Sequence, residues 1–391
     1  MAAPNEGEYR TKTDDDRSGV TLRIMTETLS LDPVGGIEMC TFEDSLGLAA
    51  RGHAIDVMYK DDGLLRHRFE GAGVVLKGPV TFDFNVRHPL NGLTRFVGPA
   101  RWARSRDPDI LLISRFEDIY WAAAIATWSR CPIVCQLHHM PNEFRLSRLQ
   151  HRVAHFVAVS NFMREAWIGA GLDAERVSVI VNALPPGGYP RGGLLERSAA
   201  RERIGLSEDV NIVLCYGRML REKGVGTLLK AWAELGLSPD EAQLVLVGST
   251  TLLDDPELAQ LFGQLNPASI HLFPMQIDVV PFLHAADVVV FPTWLEEGFG
   301  RVVLEGLATG RPVIASRVGA VPEILSGAMT RFLVEPQNSS ELRDAIASLL
   351  NWRRTEPELE LECAQWVEAR YSFEDHISAM ENVLMRFRRR R

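Results

Sequence analysis

Residues 292–313 read P-T-W-L-E-E-G-F-G-R-V-V-L-E-G-L-A-T-G-R-P-V, and this stretch carries most of the information about the fold. A buried-strand run, Ala286-Asp287-Val288-Val289-Val290-Phe291, leads into it. The glycine-bearing loop Gly298-Phe299-Gly300 opens an apolar helix that stops at Gly310, with Pro312 just beyond. Strand, glycine-rich turn and helix start bring free backbone N–H groups to one point, which suits an anion. Glu297 lies in the turn. Glu305 lies eight residues later among Val302, Val303, Leu304 and Leu307, where an unpaired carboxylate is costly. Two readings stay open on these residues alone. One is a ligand site. The other is an ordinary Rossmann crossover with a capping glutamate and a core glutamate tied to a nearby arginine.

Working outward, 391 residues suit two domains of ordinary size, and 46% hydrophobic with 24% charged residues suit a globular chain. No apolar run is long enough to cross a bilayer. Residues 1–19 are polar, without the apolar core of a secretory signal, and read as a disordered tail. The five cysteines contain no C-x-x-C pair, which favours a reduced, cytoplasmic setting over disulfides or a zinc site. A net charge of −9 excludes a general nucleic-acid binder.

The chain alternates strand-like and helical runs twice, the pattern of doubly wound α/β domains. Strands are expected near 22–25, 54–58, 74–76, 109–114, 132–137, 156–160 and 177–181, with helices at about 37–50, 95–105, 119–129, 145–153 and 161–170. A Pro/Gly cluster from Leu184 to Gly193 breaks the pattern. The second series has strands near 211–217, 243–247, 270–273, 286–291, 312–315 and 331–334, with helices near 222–235, 256–264, 278–285, 339–351, 357–370 and 373–388. The expected organisation is a first domain at 20–183, a linker at 184–200, a second domain at 201–370 and a C-terminal segment at 371–391. Two parallel-sheet, Rossmann-like halves would face each other across a cleft, the place for a ligand.

The second domain's first turn, Gly217-Arg218-Met219-Leu220-Arg221-Glu222-Lys223-Gly224, offers two cations near a helix start, a combination suited to a diphosphate. Lysine otherwise stands only at 12, 60, 77 and 230, so Lys223 suggests a need for a compact point charge. A solvated charged loop is the plainer reading of these residues.

Residues from about 20 to 390 resemble the retaining family-4 nucleotide-sugar glycosyltransferases, which have the GT-B fold. The ordered matches are Gly35-Gly36-Ile37-Glu38 with Arg51-Gly52-His53, then His138, Val159-Ser160, the Gly217–Gly224 stretch, the E-x7-E pair Glu297 and Glu305, and Gly319–Ile324. The resemblance implies that Arg218 and Lys223 neutralise a donor diphosphate and that Glu305 holds the ribose hydroxyls. Glu297 would face the donor sugar, helped by the backbone of Gly298, Phe299 and Gly300, while Gly35 and Gly36 let backbone approach the phosphates. His138 would sit near the donor sugar on the acceptor face; His139 is adjacent, and strand-end spacing favours 138. The helix at the C-terminus would return to the first domain.

The activity implied is transfer of a hexose from a nucleotide sugar, UDP- before GDP-, to a hydroxyl of a glycan, lipid-linked or secondary-metabolite acceptor, with retention. The resemblance implies no metal or other cofactor, and the sequence agrees with it: Asp107-Pro108-Asp109, despite its D-x-D spacing, reads as a loop into a strand. Alternatives are a nucleotide-sugar epimerase or hydrolase without a second substrate, and a binding protein without turnover. A phosphorylase would need a pyridoxal-linked lysine, which lysine scarcity disfavours. Ser249-Thr250-Thr251 and Pro274 depart from the family pattern, and the turn at Pro274–Ile277 would border the nucleobase. Arginines at 145, 148 and 152 with His151, and those between Arg87 and Arg106 interleaved with Phe96 and Trp102, would form basic helix faces. Such faces could meet the inner surface of a membrane or simply be solvated.

Overall fold

The structure, a computed structural model, describes residues 20–84, 89–141, 148–248 and 254–390. The expected tail at 1–19 and the departure at Ser249-Thr250-Thr251 lie outside the described residues.

The first sheet has seven parallel strands: β1 (Arg23–Ser30), β2 (Ala54–Asp61), β3 (Val75–Lys77), β4 (Ile110–Ile113), β5 (Ile133–Leu137), β6 (Val153–Ala158) and β7 (Val177–Val179), in the order β3-β2-β1-β4-β5-β6-β7. The second has six: β8 (Asn211–Gly217), β9 (Ala242–Gly248), β10 (Ile270–Pro274), β11 (Val288–Phe291), β12 (Val313–Ser316) and β13 (Leu333–Val334), in the order β10-β9-β8-β11-β12-β13. Every pairing is parallel. Short runs such as Ile110-Leu111-Leu112-Ile113 and Val288-Val289-Val290-Phe291 are buried along their whole length, as strands covered by helices on both faces require. Strand order reverses at β1/β4 in one sheet and at β8/β11 in the other. The crevices at these two switch points open toward one shared cleft.

Several local expectations need correction. The helix expected at 145–153 is, over its described part, a 3-10 turn at Arg148–Arg152 that runs straight into β6. The helix expected at 222–235 divides into a 3-10 turn, Arg221–Lys223, and a helix, Val225–Leu235, with Gly224 left-handed between them. Residues 194–200, placed in the linker, belong to a helix, Leu194–Ile204, that Gly193 starts and the left-handed Gly205 ends. The 331–334 strand shrinks to Leu333–Val334 after a 3-10 turn.

The C-terminal helix Phe373–Phe387 buries Ile377, Met380 and Leu384 against Phe42, Leu48 and the β1–β2 face of the first sheet. Polar contacts fix its register. Arg51 donates to Glu381 and to Ser378 at 2.7 Å each, and His376 spans Asp44 at 2.8 Å and the Val181 carbonyl at 2.7 Å. Arg389 reaches Asp107 and the Ser129 carbonyl. Asp109, the other acid of the D-x-D spacing, accepts from the Arg23 amide at 2.9 Å, so both acids of this pair bind backbone or arginine.

Candidate active site

A cleft of about 710 Å³ separates the two sheets, and all ten residues singled out by sequence line it: Gly35, Gly36, His138, Arg218, Lys223, Glu297, Gly298, Phe299, Gly300 and Glu305. Among the described residues, no three His, Cys, Asp or Glu side chains converge as a metal site, and no helix is long and apolar enough to cross a membrane.

Arg218 follows β8 directly and is exposed at the cleft. Lys223 is mostly buried and forms an ion pair with Glu297, which also accepts from Thr293 at 3.4 Å. The cation expected on a diphosphate and the carboxylate expected on a sugar therefore hold each other here. Phe299 is buried, with its ring edge-on to Tyr371 at 6.0 Å.

Glu305 has the arginine partner that the structural reading of its helix requires, and it also faces the cleft. Arg301 Nε donates to Oε1 at 3.1 Å, while the Tyr216 hydroxyl donates to Oε2 at 2.7 Å. Arg301 also grips Glu43 of the first domain with both terminal nitrogens, at 2.7 and 3.0 Å. Burial holds Glu43 above the usual carboxylate range, and the Arg301 guanidinium offsets only part of that rise. Tyr216, Arg301 and Glu43 were not foreseen as site residues. Arg301, at the first position of an apolar helix and four residues before Glu305, was the available signal; Glu43, 258 positions away, gave none.

His138 directly follows β5, with its Nε2 buried and without a partner among the described residues. Burial lowers its pKa to about 4, so the imidazole is neutral at ordinary pH. His139 also lines the cleft, half-exposed, and bonds Glu117 at 2.9 Å, while its carbonyl accepts from Trp167.

Further contacts close the cleft around these groups. Ser160 Oγ donates to the Gly298 carbonyl at 2.7 Å. Glu323, from the 319–324 motif, accepts from the amides of Asn161 and Phe162 at 3.0 and 2.6 Å, placing its charge at the start of the Asn161–Gly169 helix. Gly319 is left-handed, and a Cβ there would meet the Glu297 backbone at 2.3 Å.

The expected basic faces are less regular than their spacing suggests. Phe96 is in the core and Arg106 is paired with Asp56 at 2.8 Å, leaving Arg95, Arg101 and Arg104 exposed on the Pro89–Arg106 helix. His151 and Arg152 are exposed on the 3-10 turn, and Arg145 lies outside the described residues.

Two facing Rossmann-like halves with the ligand cleft between them define the GT-B class of fold. The chain belongs to the family-4-like GT-B glycosyltransferases. The family described as Glycosyltransferase Family 4 matches residues 34–186, and that described as Glycosyl transferases group 1 matches residues 210–351. A lipopolysaccharide 1,2-N-acetylglucosaminetransferase of Salmonella typhimurium is 28% identical over 215 residues, 52% of this chain and 55% of that protein. A D-inositol 3-phosphate glycosyltransferase of Geodermatophilus obscurus is 34% identical over 192 residues, 46% of this chain and 41% of that protein. The chain thus spans about half the length of the curated relatives it matches. Among solved structures, Anabaena HepE in complex with UDP and glucose superposes with a TM-score of 0.79 at 21% identity, covering 93% of this chain and 99% of that one.

Proposed function

We propose that the chain is a retaining hexosyltransferase that moves a sugar from a nucleotide-sugar donor, UDP-linked before GDP-linked, to a hydroxyl of an acceptor seated on the first domain. One observation carries this reading: Arg218, Lys223, Glu297 and Glu305 share a single cleft with an unpartnered, neutral His138. HepE, solved with UDP and glucose, supports the uridine preference.

The donor diphosphate takes Lys223 from Glu297, and with Arg218 it gathers the charge that grows as the glycosidic bond breaks. Glu297, released, accepts from hydroxyls of the donor sugar. Glu305 has a free lone pair on each oxygen for the ribose hydroxyls. His138 turns its free Nε2 to the donor sugar. The acceptor oxygen then bonds to the anomeric carbon on the face that the diphosphate leaves, and its proton passes to the departing phosphate oxygen. Arg218 and Lys223 supply the charge, so this scheme needs no metal. Exposed Arg95, Arg101 and Arg104 are the side we assign to an anionic surface carrying a lipid-linked acceptor, from the cytoplasmic side.

Thermal shift against UDP-, GDP-, ADP- and dTDP-sugars tests the donor site. At a donor concentration about 100-fold above Kd, stabilisation is about 2.7 kcal/mol. One nucleotide is expected to raise Tm, with the shift lost in Glu305→Gln and Lys223→Ala and unchanged by EDTA. Equal shifts in both variants would remove these residues from the donor site, and loss of the shift in EDTA would overturn the metal-free scheme.

A further inference from the structure

We infer that Arg301 is a positioning residue that couples the donor carboxylate Glu305 to closure of the cleft, acting through Glu43 of the opposite domain. This rests on the donor-site reading above.

Arg301 is the first residue of the Arg301–Ala308 helix, and its side chain is 8% exposed. Its Nε holds one oxygen of Glu305, while Nη1 and Nη2 hold both oxygens of Glu43 in a fork only a guanidinium can provide. Nη1 also lies 3.7 Å from the Cys40 sulfur. The two carboxylates belong to different domains: Glu305 to the second, Glu43 to the Gly36–Ala50 helix of the first. That helix starts at the cleft wall, and a Cβ on Gly36 would touch Arg301 Cδ at 3.4 Å. One side chain therefore sets the carboxylate assigned to the ribose and, across the cleft, the helix whose first amides face the diphosphate.

The Arg301–Glu43 bonds can form only when the two domains approach, whereas the Arg301–Glu305 bond lies wholly within the second domain. Loss of Glu43 then shifts the open–closed equilibrium without disturbing the donor wall, because only interactions that differ between two states move their balance. Loss of the arginine fork disturbs both. A lysine at 301 is a point charge that cannot serve Glu305 and both oxygens of Glu43 together.

The test uses the full chain, with UDP as the binding probe and hydrolysis of UDP-glucose as the rate. Glu43→Gln is expected to keep UDP affinity within about 3-fold while lowering kcat roughly 10-fold, a modest share of the ~100-fold that a misplacement of 1 Å can cost. Small-angle scattering of UDP-bound Glu43→Gln is expected to show a larger radius of gyration than wild type. Arg301→Lys is expected to raise the donor KM as well as lower kcat. A purely structural role would lower Tm and the fraction of active protein without this split. Wild-type kcat and scattering in Glu43→Gln would overturn the inference, as would a loss of UDP affinity equal to that of Arg301→Lys. If the wild-type chain bound no nucleotide, the donor reading itself would fail, and this inference with it.

Discussion

Gly298 has no room for a side chain: a Cβ there would lie 2.4 Å from the His138 carbonyl oxygen, which is backbone of the opposite domain. The Ser160–Gly298 hydrogen bond holds the same approach from the side. Gly298→Ala would push the Glu297 turn away from His138 by a sizeable part of an ångström. The expected outcome is a fall in kcat on the order of 100-fold, with Tm little changed because no buried apolar side chain is removed from the core. Steady-state kinetics beside a thermal melt checks this, and unaltered kcat would show that the cleft works without this contact. At this scale the sequence was most legible where chemistry is local. Glu297, Glu305, Arg218 and Lys223, all singled out in the sequence, line one cleft, because strand ends and helix starts of a doubly wound sheet converge there. The pairing of Lys223 with Glu297 joins residues 74 positions apart, and no local pattern announces it.

Asp287 shows what a single element boundary demands. It sits just before β11, almost fully buried, and accepts from Arg201 at 2.7 Å, from Arg197 and Arg353 at 3.0 Å each, and from the Ile212 amide at 2.8 Å. It thus ties the helix Leu194–Ile204, the short helix Trp352–Thr355 carrying Arg353 and the start of β8 to one point. Removing it leaves Arg201, itself fully buried, without its charge partner, and breaking such a pair costs about 3–5 kcal/mol. Urea unfolding of Asp287→Ala should show a loss of that size; a loss below about 1 kcal/mol, the value of an exposed pair, would contradict it. Burial works against the Asp287 charge, but Arg201 and Arg197 overcome it and hold its pKa below the usual value. A depressed carboxylate adds stability that is present above its unfolded value of about 3.9 and is lost as pH falls through the native value. The acid limb of stability against pH is therefore expected to flatten in Asp287→Asn; an unchanged limb would assign acid sensitivity elsewhere. Strands were the legible elements, since apolar runs such as Ile110–Ile113 have one structural use in a parallel sheet. The 3-10 turns at 148–152 and 221–223 were read as helix because their composition is helical while tertiary contacts set their pitch.

Among the described residues, a hydrophobic cluster runs through both halves, and specific bonds set their register: Arg301 to Glu43, Ser160 to Gly298 and Glu323 to the Asn161 helix, with the C-terminal helix locked to the first domain by Asp44–His376 and Arg51–Glu381. The two-domain plan was legible in the repeated alternation of strands and helices. The closing contacts were not, because each pairs residues far apart in sequence whose meeting depends on how the domains face one another. Turnover with retention would require all of these parts in register, so the stereochemistry of donor cleavage tests the account most directly. Time-resolved proton NMR of UDP-α-glucose with the purified chain, without acceptor, would record the first sugar released before its anomers equilibrate. The expected result is α-glucose appearing first, with release abolished in Glu305→Gln and slowed in Gly298→Ala. Release of β-glucose first would contradict the front-face mechanism, and release unaffected by either substitution would move the chemistry out of this cleft.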